Sequence, residues 1–181
     1  MIEFKGTLAR RNREGSFENP LKLEWFASLF FPNALVYGKL ERYYMSYDLM
    51  VFDIAKAPKT KIEFMSWYKN LTEWGEKLDY DNPSNASMPL QNWFYEMIKI
   101  FPPMNGPLAP TDKQIESNWE METRLTDYCI ATEAIYMGFA WSLADEAYSL
   151  VHKLAIKHGV GFFDPSSGRD DIFLPDGSFI S

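Results

Sequence analysis

Apolar and polar positions along the chain fall into two rhythms, one strand-like and one helical. The run "YDLMVFD" (47–53) is short, apolar and closed by Asp53 and "KAPK", so it predicts a strand. In "TKIEFMSWYKNLTEWGEKL", Phe64, Tyr68, Leu71, Trp74 and Leu78 recur at helical spacing. Thr60 with Glu63 forms a capping box at its start. "DYDNPSNAS" reads as a loop. Ser87 then precedes "MPLQNWFYEMIKIF", where Leu90, Trp93, Phe94, Met97, Ile98 and Phe101 make an apolar helix face ended by Pro102-Pro103.

The next stretch, 102–126, lacks a clear period and is rich in proline, as functional or mobile long loops often are. "DYCIAT" and "AIYMGFAW" predict two strands, a hairpin turning near Thr132-Glu133, with one bent strand as the rival reading. Ser142 with Asp145 predicts the cap of a helix over "LADEAYSLVHKLAIKHG", which Gly159 stops. "VGFF" is a final core strand, and "DIFL" is a candidate edge strand.

The resulting order, β-α-α-β-β-α-β, predicts an α+β fold: a ferredoxin-like sandwich with an extra helix. Alternation puts Leu49 and Val51 on one sheet face, and Met50 and Phe52 on the other. Ile135, Met137, Phe139 and Trp141 share a face, opposite Tyr136, Gly138 and Ala140. Both faces are apolar, whereas a sheet with one wet face alternates apolar with polar. The second face therefore needs a cover: the second helix, the C-terminal tail or another subunit, the last making a homodimer.

Charge divides the chain. Residues 1–44 hold seven Lys/Arg and five Asp/Glu, a net +2, while residues 45–181 hold eleven and twenty, a net −9. Codons for Glu41 and Arg42 can supply a purine-rich, ribosome-binding type of tract before two tyrosine codons and the ATG of Met45. Residues 1–44 are thus expected to be a non-native or loosely packed extension, and 45–181 a single α+β domain. An N-terminal arm that packs on the domain is the rival. Arg10-Arg11 invites a twin-arginine reading, but Glu14, Glu18 and Glu24 spoil the apolar region that should follow.

The overall charge of −7 disfavours nucleic acid and anionic membranes and suits a basic partner. One cysteine, Cys129, excludes an internal disulfide and nearly excludes a cysteine-based zinc site. It fits a cytoplasmic location and reads as a buried, slow-reacting thiol. No cofactor or metal site is expected. The two histidines, His152 and His158, lie about 600° apart around one helix and do not stack as a ligand pair. His158 reads first as a helix-terminal residue that complements the dipole. The glycines of "HGVGFFDPSSG" follow a helix, the reverse of a phosphate cradle, and "DPSSGRDD" lacks the spacing of a calcium loop.

The strings "SYDLMVFD…AP", "WY…TEW", "FPPMNGP" and "FAWS.ADEAY…LA.KHGVGFFDPSS" resemble a family of small, uncharacterised bacterial proteins whose members start at the position of Met45. The likeness covers most of residues 45–167. It implies a bacterial origin and the Met45 start, and it brings no activity and no site.

Two functions compete. In the first, the protein is a non-enzymatic interaction module in the bacterial cytoplasm that binds a basic protein across residues 73–95. An immunity protein against a basic toxin is one concrete form. Glu73 and Glu76 would steer the partner, and Trp74 or Trp93 would anchor it. In the second, the protein is a small enzyme or ligand-binding domain. Its pocket would lie between the sheet and the 102–126 loop, with His158, Asp127 and Glu133 as candidate polar groups.

Overall fold

The computed structural model describes residues 46–181, and the expectations for residues 1–44 and the Met45 start lie outside them. The first strand, β1, spans Ser46–Phe52. Helix α1 spans Lys61–Leu71 and α2 Met88–Met97. Two short helices follow, α3 over Asp112–Glu116 and α4 over Trp119–Arg124. Strands β2 (Asp127–Ile130) and β3 (Ala134–Ala140) form a hairpin. Helix α5 spans Ala144–His158, β4 Gly161–Phe163 and β5 Ile172–Phe173. The strands make one antiparallel sheet in the order β2-β3-β1-β4-β5, so the fold is α+β. No helix among the described residues is long and apolar enough to cross a membrane.

The register sorts side chains onto two faces, because directly opposed residues point the same way. Tyr47, Leu49 and Val51 oppose Phe139, Met137 and Ile135. They form the main core with Leu90, Trp93, Phe94 and Met97 of α2 and Ala147, Val151 and Leu154 of α5. Met50 and Phe52 oppose Tyr136 and Ala134 on the other face, beside Phe163 and Gly161 of β4. That face is covered by α1, with the C-terminal segment beside it at the Phe52 end, and not by the second helix. The Phe64 ring lies 4.9 Å from Phe52 and 5.4 Å from Phe163, and Tyr68 lies 5.1 Å from Phe163. A homodimer through this face would have to displace α1.

Several local expectations need correction. Helix α1 stops at Leu71 instead of reaching Leu78. The Thr72 hydroxyl donates to the carbonyls of Tyr68 and Lys69 (both 3.1 Å), and Trp74 takes a left-handed φ of 49° that no helix continues through. Stretch 102–126 is not all loop. Thr111 and Gln114 form a reciprocal capping box that starts α3, a signal present in the sequence. Ser142 does not cap α5, since a 3-10 turn over Trp141–Leu143 intervenes and Leu143 holds the cap position. Gly159 ends α5 at φ 69°, as its place after the last apolar residue predicts.

Candidate functional site

The segment after α1 is one place in the described chain where acidic and aromatic groups meet at the surface; Trp119, exposed among Glu116, Glu120 and Glu122, is another. Glu73, Glu76 and Asp79 are exposed, and Trp74 between them is half-buried. Trp74 stands edge-on to Tyr80 at 5.4 Å and to Tyr136 at 5.8 Å. A left-handed backbone is costly for a bulky residue, so these ring contacts must hold it there. The far end of the segment is tied to the sheet. The Ile130 amide donates to the Tyr80 carbonyl (2.8 Å), and Asn85 Nδ2 donates to the carbonyls of Asp79 (2.7 Å) and Ile130 (3.1 Å).

Beneath Trp74 lies a polar group that sequence reasoning missed. Tyr136 Oη donates to Asp48 Oδ2 at 2.9 Å, and the Tyr68 and Tyr136 rings stack at 6.4 Å. Asp48 Oδ1 is shut off from solvent and has no hydrogen-bond partner among the described residues. Burial raises the Asp48 carboxyl above its ordinary range, against smaller lowering influences from the neighbouring Ser46 and Tyr136 hydroxyls. Burial, reinforced by the Asp48 charge, likewise pushes the Tyr136 phenol up. Gly138 opposes Asp48 in register, and a Cβ there would sit 3.3 Å from Oδ1. The glycine thus leaves the carboxylate its space. The signal in the sequence was an aspartate sharing a strand face with Met50 and Phe52.

The expected catalytic trio does not assemble. Glu133 Oε2 accepts from Trp67 Nε1 at 3.0 Å, which pins the β2-β3 turn to α1. His158 Nε2 lies 2.8 Å from Glu96 Oε2, and Lys157 Nζ lies 2.6 Å from Glu96 Oε1, so these groups clasp α5 to α2. The Lys157 and His158 contacts hold the Glu96 carboxyl below its ordinary value. Asp127 sits on the edge strand opposite Gly138 and is half-buried. The space between the sheet and the 102–126 loop is about 10 Å³, room for one water. None of the three lines it. No group of three His, Cys, Asp or Glu among the described residues is placed to hold a metal ion.

Two further residues differ from expectation. Trp93 is fully buried in the main core, and its Nε1 donates to the Val151 carbonyl at 3.4 Å. It is a core residue and cannot anchor a partner at the surface. Cys129 is only half-buried, because the short strand β2 leaves it at the sheet edge. Glu73, Trp74 and Glu76 remain together, on an irregular segment instead of a helix.

No family model, curated protein or solved structure matches the chain.

Proposed function

We propose that this chain is a non-enzymatic interaction module of the bacterial cytoplasm that docks a basic protein through residues 73–79. The observation that carries this reading is Trp74. Its ring is fixed between Tyr80 and Tyr136, partly open to water, with Glu73 and Glu76 exposed on either side. A rigid aromatic anchor loses little side-chain entropy on binding, and the flanking acids steer a cationic surface toward it. An immunity protein that neutralises a basic toxin is one concrete form. The lone Cys129 fits a reducing compartment.

The frame is read as a ferredoxin-like sandwich with additions. The pairings support this: β1 and β2 run parallel with β3 between them, and β3 and β4 run parallel with β1 between them. Helices α2 and α5 cover one face, as the two crossovers of that arrangement would. The five-strand order departs from the four-strand one by β5, and α1 is the extra helix.

The test is a pull-down from the native host followed by association kinetics at two salt concentrations. Glu73→Lys with Glu76→Lys should lower the on-rate, and Trp74→Ala should raise the off-rate. Association should slow as salt approaches about 0.15 M, where the Debye length falls to roughly 8 Å. An acidic partner, or an on-rate indifferent to charge reversal, defeats the proposal.

A further inference from the structure

We infer that the groove between residues 54–59 and the C-terminal segment 174–181 binds an aliphatic carboxylate, with its chain along the apolar walls and its head on Lys59. The groove measures about 440 Å³, within the roughly 300–1,000 Å³ of small-molecule sites. Phe52 forms its floor, Ile54 and Pro58 one wall, and Leu174, Phe179 and Ile180 the other. Ile54 is 45% exposed and Phe179 57%, so a ligand chain would remove apolar surface from water.

Both walls are already fixed. The amides of Lys56 and Ala57 donate to the Asp53 carbonyl (both 3.0 Å), and the Asp53 amide donates to the Glu133 carbonyl (2.9 Å). Opposite, the Leu174 amide donates to the Ser178 carbonyl (2.8 Å), the Ile180 amide to the Ile172 carbonyl (3.0 Å), and the Lys61 amide to the Ser181 carbonyl (3.2 Å). Phe179 is also held against Phe173, with ring centres 4.8 Å apart. A preformed site spares the ligand the cost of ordering it.

The polar lining decides the head group. Asp176 Oδ1 accepts from the Ser178 amide (2.9 Å) and hydroxyl (2.6 Å), which occupies that oxygen within its own turn; these bonds hold its pKa below the ordinary range, so the carboxylate stays charged. Lys59 lines the groove, is exposed, and makes no ion pair or hydrogen bond among the described residues. Lys56, exposed on the same loop, adds a second positive charge. Lys59, the one Lys or Arg in the lining and without a partner among the described residues, therefore gives an anionic head its counter-charge, whereas the Asp176 carboxylate is already engaged by Ser178. The groove lies before α1 and Trp74 after it, about 16 Å apart along that helix, so the two sites are separate.

The experiment is calorimetric titration of the full chain with dodecanoate below its micelle concentration, and with dodecyltrimethylammonium as the opposite head group. Dodecanoate should bind saturably at one site, with the ammonium compound about tenfold weaker. Lys59→Glu should weaken dodecanoate by about tenfold with the melting temperature unchanged. Phe179→Asp should abolish binding, with Ile54→Asp as the second variant if the first does not fold. Absence of saturation with dodecanoate overturns the inference. So does equal affinity for the ammonium compound, or full binding by a folded Phe179→Asp or Ile54→Asp protein.

Discussion

The two faces of the sheet are covered by helices in different ways. Beneath α2 and α5 the contacts are almost wholly apolar, and Leu49, Val51, Ile135 and Met137 have no exposed surface. Its polar bonds are few and paired: Trp93 to Val151, Tyr128 to Phe101, and the Tyr47 hydroxyl donating to the buried Asp164 carboxylate at 2.8 Å. Beneath α1 the rings of Phe52, Phe64 and Phe163 cluster at one end, but the other end holds Asp48, Tyr68 and Tyr136 with Trp74 over them. Both covers bury large aromatic groups, yet only the second leaves a carboxylate with an unpaired oxygen and opens at its margins into an apolar groove. A closed face whose buried polar groups are paired holds the fold. A face with an unpaired buried oxygen and open margins is where binding can be added without dismantling the core.

The sharpest way to break this contrast is to attack the closed face. Trp93→Ala removes a fully buried indole between α2 and α5, and should cost about 3–5 kcal/mol. Urea unfolding should show a large fall in the midpoint with little change in slope. A loss below about 1 kcal/mol would mean that the α2-α5 face is not the stabilising one.

The middle-sized effect lies at the ring-lined end of the other face. A Cβ at Gly161 would overlap the Phe52 ring, so Gly161→Ala forces the floor of the groove to move. We expect a loss of about 1–3 kcal/mol, read from the same unfolding curves. A neutral substitution would show that the Phe52 ring can swing away freely.

The smallest effect, and the one that sharpens the contrast most, concerns Asp48. Its carboxyl is raised in the folded state, so the native protein binds the proton more tightly than the unfolded chain does. The stability this contributes is fully present below the ordinary carboxyl value of about 3.9 and is lost as pH rises through the raised folded value. Asp48→Asn removes the buried charge and keeps an oxygen for Tyr136. At neutral pH it should be more stable than the native protein, by no more than about 1 kcal/mol. The gap should narrow on acidification through that window. A gap independent of pH would show that the Asp48 carboxyl binds its proton equally well in the folded and unfolded chains, so that burial does not raise it.

Much of this fold was readable from local chemistry. Alternation in 47–53 and 134–140 assigned the two faces correctly, and Gly159 stopped α5 where its position after the apolar stripe required. Two apolar faces also implied a second cover, but period alone did not say which element supplied it. Less of the candidate site was legible. Glu73, Trp74 and Glu76 were read from composition, but on a helix that in fact ends three residues before Trp74. Helical spacing cannot report a left-handed residue forced by contacts with Tyr80 and Tyr136. Trp93 and Trp74 look alike in the sequence, and only the approach of α5 makes the first a core residue.

By itself, then, the sequence determined the class of the fold, the alternation of its strands, the Thr60 cap of α1, the Gly159 stop of α5, and the acidity of residues 45–181. These depend on neighbours within one or two turns of chain, where residue type and spacing are enough. Tertiary structure decided which helix covers which face, that Asp48 meets Tyr136 across 88 residues, and that residues 54–59 and 174–181 close a groove. Those pairings follow from how strands order in a sheet and how helices share its faces. They are set by the burial of the whole apolar surface at once, and no local stretch of sequence carries that information.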